Sequence, residues 1–318
     1  MPDSQDRVIR NVAIIGNQHL SQAIIQALAG SKNIQTTVIT YWDQEPYLAS
    51  GLPNDSVIHK TTDFTRQSLE DALTGADLVI STVTAGDDCL QRRIIEACVV
   101  SGVKRVMANE FGLDSQNKQI QERLPAYNAR SRVIDFLRDY EDDLEWTAIA
   151  VGTILDHELL NGKLGFDLMW QSASIPGDRT VRFPATSLSG VGELVAATIS
   201  NWAAVRNSYI YAAGCMTTAD EVVQCLKHEM KADWVVDSND PQEMVDSAQR
   251  MLERGWPDAG WSLMERIAVF DPKMNGAKQF VDTPANKLFG LQDERIADII
   301  HDTVHQWKHT TQGDCGCN

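Results

Sequence analysis

Val12-Ala-Ile-Ile-Gly16 is a short, unbroken apolar run that stops on glycine, the pattern of a strand buried on both faces. Ala23, Ile24, Ala27 and Leu28 then recur at helical spacing, and Thr37-Val-Ile-Thr40 reads as a second strand, so the stretch forms a β-α-β unit. The rhythm continues outward. Residues 68–73 are helical and 76–81 strand-like; 92–100 form an amphipathic helix ahead of a strand at 103–108; a helix at 129–140 leads to a strand at 146–151. Strands that alternate with helices are joined by crossover connections, which make neighbours parallel and cover both faces of the sheet. The expected fold is therefore α/β, a doubly wound parallel sheet.

After Gly152 the alternation loosens, with Pro, Gly and Ser between residues 172 and 189 and scattered tryptophans. This places a doubly wound domain at 1–152 and a smaller α+β substrate lobe at 153–310, with an interleaved boundary, and a flexible tail at 311–318. Phe166, Met169, Trp170, Phe183, Trp256 and Trp261 suit either a pocket for a flat, apolar substrate or, for most of them, simple core.

Composition narrows the function classes. The chain has 318 residues, 43% hydrophobic and 23% charged, enough for a substantial core. With 28 basic against 44 acidic residues its formal net charge is −16, and no basic stripe offers itself to phosphates, which argues against nucleic acid and against an anionic membrane surface. No apolar run approaches the roughly 18 to 20 residues that span a bilayer, and residues 1–10 lack the apolar centre of a secretion signal. Six cysteines, Cys89, Cys98, Cys215, Cys225, Cys315 and Cys317, are sparse for this length. The expectation is a reduced, cytoplasmic protein acting on a small molecule as a monomer or homodimer.

Ala108-Asn-Glu-Phe-Gly-Leu-Asp114 follows a strand, and Tyr127-Asn-Ala-Arg-Ser-Arg-Val133 comes after a loop. Together with Val12–Gly16 and Gly75-Ala-Asp-Leu-Val-Ile-Ser81 these segments resemble the NmrA-like and isoflavone-reductase-like branch of the atypical short-chain dehydrogenases, over roughly residues 9 to 310. The resemblance implies a Rossmann fold with a smaller C-terminal lobe, in proteins that reduce aromatic or conjugated metabolites with NADPH or sense the nucleotide as regulators. It also implies that Gly16, Asn17, Gln18, Tyr41, Thr82 and Asn109 line the dinucleotide site.

Against that pattern the sequence departs in three places. The family loop Gly-x-x-Gly-x-x-Gly, which turns tightly and brings backbone close to a pyrophosphate, reads Gly16-Asn-Gln-His-Leu-Ser21, one residue shorter and with only its first glycine. Gln18 and His19 are expected to project toward the phosphate position. At the end of the second strand, where NADP-binding relatives carry Arg, stands Thr40-Tyr-Trp-Asp43; Asp43 repels a 2′-phosphate and suits a ribose hydroxyl. The catalytic Lys of the reductases falls on Arg130, which holds its proton and can only clamp or stabilise an anion.

The three departures fall on loop, ribose site and proton donor, and so the leading expectation is a non-redox enzyme of secondary-metabolite type, an isomerase, cyclase or lyase with a degenerate dinucleotide site and no nicotinamide required, although NADP(H) or NAD(H) remains possible as a cofactor. Its acid–base candidates are His19 and His157. Tyr127 and Arg130, one helical turn apart, would hold and polarise a carbonyl or phenolate. The alternatives are an NAD(P)H-dependent isoflavone-reductase-like oxidoreductase and a nucleotide-sensing regulatory protein. Glu110 reads as structural. No metal is expected: His301-Asp-Thr-Val-His305 faintly matches a zinc His-Glu-x-x-His pattern, but Ile296, Ile299, Ile300, Val304 and Trp307 explain the segment as an amphipathic docking helix, with His309 continuing its spacing. The pair Cys315 and Cys317 reads as incidental.

Overall fold

A computed structural model describes residues 8–29, 33–45, 57–83 and 88–312. The tail from 313 onward, with Cys315 and Cys317, lies outside the described residues. The first half runs β1 (Asn11–Ile15), α1 (His19–Ala29), β2 (Gln35–Tyr41), β3 (Val57–Thr62), α2 (Arg66–Leu73), β4 (Leu78–Ser81), α3 (Cys89–Val100), β5 (Arg105–Met107), α4 (Lys118–Arg123), α5 (Pro125–Arg138) and β6 (Glu145–Ala150). Then come β7 (Thr153–Ile154), α6 (Leu155–Leu160), β8 (Phe166–Asp167), β9 (Ser172–Pro176), β10 (Phe183–Thr186), α7 (Leu188–Ser200), α8 (Trp202–Val205) and β11 (Ser208–Tyr211). The last stretch holds β12 (Cys215–Thr217), α9 (Ala219–Met230), β13 (Val235–Asn239), α10 (Pro241–Glu253), α11 (Pro257–Phe270), α12 (Lys278–Asp282), α13 (Asn286–Phe289) and α14 (Ile296–Gln312).

Among the described residues the main sheet has seven strands in the order β3-β2-β1-β4-β5-β6-β11, and the pairings from β3 through β6 are parallel. This is the doubly wound arrangement, and its order reverses between β1 and β4. The register sets Ile15 opposite both Ile39 and Ser81, so β1 and β4 end level while β2 runs on two residues to Tyr41. Crevices at such a reversal are where open α/β sheets bind ligands.

The chain divides into two compact units, and each takes several segments of the chain: residues 1–111, 126–150 and 189–210 form the first, and 112–125, 151–188 and 211–318 the second. In the first, Ile15, Ile39, Val79, Val106 and Trp146 on the sheet meet Leu69, Leu73, Ile94, Ile95, Ile134 and Leu137 from the helices. The short side chains Ala23 and Ala27 of α1 let α7 approach closely. A Cβ built on Gly192 of α7 would lie 2.5 Å from the carbonyl oxygen of Ala23, so this crossing requires glycine.

The second unit carries two three-stranded sheets, β12-β10-β7 and β13-β9-β8. Its core gathers Leu155, Phe166, Phe183, Leu226, Phe270 and Ile300, with the Phe183 and Phe270 rings edge to face at 5.2 Å. Phe166 and Phe183 are thus core, as the simpler reading of the aromatics has it. Met169, Trp170, Trp256 and Trp261 are neither core nor enclosed: they are exposed, Trp170 by 78%. Among the described residues no helix is long and apolar enough to cross a membrane, and Cys98, Cys215 and Cys225 are free thiols.

Candidate functional site

The crevice at the reversal is edged by the turn after β1 and by Thr82-Val83 after β4. Gly16 sits at φ +139°, a conformation open to glycine, and its amide donates to the Ile39 carbonyl at 3.0 Å, which ties the turn to β2. A Cβ there would lie 2.1 Å from Thr82 Oγ1. That hydroxyl in turn donates to the Ile15 carbonyl (2.9 Å) and lies 2.8 Å from Ser21 Oγ, which is 1% exposed. Ser21 therefore does by hydrogen bonding what the last glycine of the family loop does by absence of a side chain: it seats the first turn of α1 against the sheet. The Gln18 amide points to Ser21 Oγ (3.4 Å), and α1 begins at His19 with no acidic residue in its first turn. The positive end of the helix dipole thus meets the crevice with no carboxylate in the helix's own first turn to cancel it.

Gln18 and His19 are exposed, and the turn is buttressed from the side, since Asn17 Nδ2 donates to the Glu45 carbonyl at 2.7 Å. At the end of β2, Thr40 Oγ1 donates to the Gln44 carbonyl (2.6 Å), and the Gln44 amide closes a tight turn onto Tyr41 (2.9 Å). Tyr41 stacks on Phe64, with ring centroids 6.1 Å apart and planes at 13°, and Trp42 lies beside Tyr41 at 6.0 Å. The turn therefore presents a partly exposed aromatic platform next to the exposed Asp43. Across the crevice Asn109 Nδ2 donates to the Val83 carbonyl at 2.7 Å, which fixes the strand ends relative to each other.

Tyr127 and Arg130 are brought together as their helical spacing predicts. The guanidinium carbon lies 4.9 Å from the centre of the Tyr127 ring, and that ring is 5% exposed. Glu110 is 1% exposed and accepts a hydrogen bond from Tyr209 Oη at 3.2 Å, a structural partnership between β11 and the segment after β5. His157 belongs to the second unit, on α6. Asn161 Nδ2 lies 3.1 Å from its Nε2, and its amide donates to Asp156, whose carboxylate also receives the Leu188 amide. Burial pushes the Asp156 carboxyl above its ordinary range against these bonds. His301 and His305 do not share a site, because His301 Nδ1 turns to Glu229 Oε2 at 3.0 Å.

Three features escape sequence reading. Phe64 beneath Tyr41 has a positive φ of 59° that no pattern announces. Asp88 binds both Arg92 (2.7 Å) and Arg132 (2.9 Å), which hold its carboxyl far below the usual range; the i,i+4 spacing of Asp88 and Arg92 is a signal that would have found half of this hub. Glu158, beside the singled-out His157, is pushed up to about 7, chiefly by burial, with Lys163 opposing and Glu265 adding to the shift.

The first unit's crevice thus brings together a left-handed glycine, a helix N-terminus with no acidic residue in its first turn, and an aromatic platform at the end of β2. The chain is 27% identical to "Oxidoreductase aprR" of Aspergillus flavus over 92% of its own length and 97% of that protein's, and 26% identical to "Oxidoreductase poxI" of Penicillium oxalicum over 87% and 88%. Among solved structures it superposes on leucoanthocyanidin reductase of Vitis vinifera in a ternary complex with a TM-score of 0.76 at 15% identity, covering 93% and 99% of the two chains. For an isoflavone reductase the TM-score is 0.71 at 16% identity, covering 93% and 100%. The model of the NmrA-like family matches residues 19–236, more than half of the sequence, and the chain belongs to that family.

Proposed function

We propose that this protein is a nicotinamide-dinucleotide-dependent oxidoreductase acting on an aromatic or conjugated small molecule. The observation that carries the reading is the turn after β1. Its side chains depart from the family pattern, yet Gly16 keeps the left-handed backbone against Thr82, and Ser21 supplies the seat for α1. The turn after β1 with the N-terminal end of α1, and the side chains of Thr82, Asn109 and Tyr41, would hold the dinucleotide, which supplies a hydride when bound. Arg130 keeps its charge at all working pH values and stabilises developing negative charge on a substrate oxygen, and Tyr127 holds the guanidinium plane in place. Because Arg cannot give up its proton, the proton comes from another donor. Asp43, with no cation beside it in Tyr41-Trp42-Asp43, shifts the balance toward NAD(H) over NADP(H).

The replacement of the reductase Lys by Arg130 favours a second reading, a non-redox isomerisation, cyclisation or elimination in which His19 or His157 moves protons. One titration separates the two. Calorimetry with NADH and NADPH on the purified protein is expected to give micromolar binding of at least one, and Asp43→Ala to improve NADPH relative to NADH. Failure of both nucleotides to bind overturns the oxidoreductase reading and leaves the non-redox one. Binding without consumption of nucleotide across a panel of conjugated ketones and quinones favours a nucleotide-sensing role instead.

A further inference from the structure

Helix α14 places His301, His305 and His309 four residues apart, and the structure sorts them into two groups. His301 pairs with Glu229, whose carboxylate favours the protonated ring and raises its pKa. His305 and His309 turn to each other. Their Nε2 atoms are 3.1 Å apart, their ring centroids 4.3 Å apart and their planes 65° from parallel. Both side chains are exposed, on the face of α14 opposite the buried Ile300, Thr303 and Val304.

Two imidazole nitrogens bound to one cation at about 2.1 Å and at right angles are separated by about 3.0 Å. The helix already holds the two Nε2 atoms at about that separation, so a cation can replace their mutual contact without a change of backbone. We propose that His305 and His309 form a bidentate site for a borderline divalent transition cation, with Cu(II) held more tightly than Ni(II) or Zn(II), the order that nitrogen ligands impose. Among the described residues no third His, Cys, Asp or Glu completes a closed cluster. The remaining coordination positions therefore go to water or to a small anionic ligand, and the site is an open surface chelate rather than a structural metal centre. It differs from the His301–His305 pairing that the sequence suggests.

Calorimetric titration of the full chain with CuCl2 and NiCl2 tests the assignment, with folding of each variant checked by circular dichroism without metal. One equivalent of copper is expected to bind with a dissociation constant on the order of micromolar or tighter. His305→Ala and His309→Ala should each weaken it by about tenfold or more, whereas His301→Ala should leave it unchanged. The Cys315→Ser, Cys317→Ser double variant should also keep the site. Absence of stoichiometric binding, unchanged affinity in either His305→Ala or His309→Ala, or loss of binding in the cysteine variant each overturns the proposal.

Discussion

In the turn after β1, two of the three family glycines are gone, yet Gly16 holds φ +139° and Ser21 meets Thr82 at 2.8 Å. In α5 a single replacement puts a guanidinium, 4.9 Å from the Tyr127 ring, where the reductases carry an amine. The first region works through its backbone, and backbone geometry survives a change of side chain so long as one residue keeps the left-handed conformation and another small one keeps the helix seated. The second region works through a side chain, and there one substitution changes which chemistry is open: Lys exchanges a proton, Arg only holds charge. Departures from a pattern therefore cannot be weighed by number. They weigh according to whether the pattern describes a path of the chain or a functional group.

Gly16→Ala is the harshest test of the first half of that contrast. The added Cβ would lie 2.1 Å from Thr82 Oγ1 on a backbone that L-residues rarely adopt. The combined strain and overlap should cost about 3 kcal/mol or more of stability and abolish measurable dinucleotide binding. A variant that melts like the wild type and binds NADH or NADPH with unchanged affinity would show that the turn is not the cradle.

Arg130→Ala tests the second half. Removal of the charge should lower kcat on the order of a hundred- to a thousandfold, as loss of one preorganised oxyanion partner does, with little change in KM for the nucleotide. Arg130→Lys then separates charge from geometry. If only the charge matters, Lys recovers most of the rate; if the planar fork matters, it behaves like Ala. Unchanged kcat in Arg130→Ala removes the residue from the chemistry.

The second unit offers the same contrast between two neighbouring carboxylates. Burial raises both, but at Asp156 the backbone amides of His157 and Leu188 oppose it, whereas at Glu158 the opposition comes from the charge of Lys163. With its folded pKa raised from 4.5 to about 7, Glu158 binds its proton more tightly in the native state. Stability on its account is full below about pH 4.5, falls as pH rises through 7, and is flat above. Glu158→Gln removes that loss. Denaturant unfolding should show the variant more stable by on the order of 1–2 kcal/mol at pH 8 and equal to wild type at pH 4. Equal stability at both values would mean that the carboxyl is solvated and its burial inconsequential.

The fold was legible because it is written in local periods. Val12–Gly16 and the strand-helix alternation through residue 151 follow directly from apolar spacing, and the structure supplies the strands and helices where that spacing puts them. The strand Val57–Thr62 was not legible: as an edge strand carrying His59, Lys60 and two threonines, it lacks the apolar run that marks its buried neighbours. The interleaving of the two units was expected only in general terms, since the return of 189–210 to the first unit brings Gly192 so close to Ala23 that a side chain at 192 would overlap the Ala23 carbonyl, a proximity no single segment announces. At the candidate site, Tyr127 with Arg130 was legible from i,i+3 spacing. The Ser21–Thr82 bond was not, because its partners are 61 residues apart and meet only once the sheet forms.

The smallest expected effect is the most discriminating. Gln18 and His19 are exposed residues at the turn into α1, where bulky polar groups would crowd a phosphate. If the turn binds through backbone amides, those side chains are free to lie in solvent, and the Gln18→Ala, His19→Ala double variant should change nucleotide affinity and kcat by less than about twofold, the scale of an exposed substitution. If His19 is instead the acid–base group of a non-redox enzyme, the same variant loses kcat by about a hundredfold or more while nucleotide binding is irrelevant to it. A crowded cradle gives a third pattern, in which removal of both side chains tightens NADH without raising kcat. The direction of the change alone thus tells whether this turn is a path of the chain, a functional group or an obstruction.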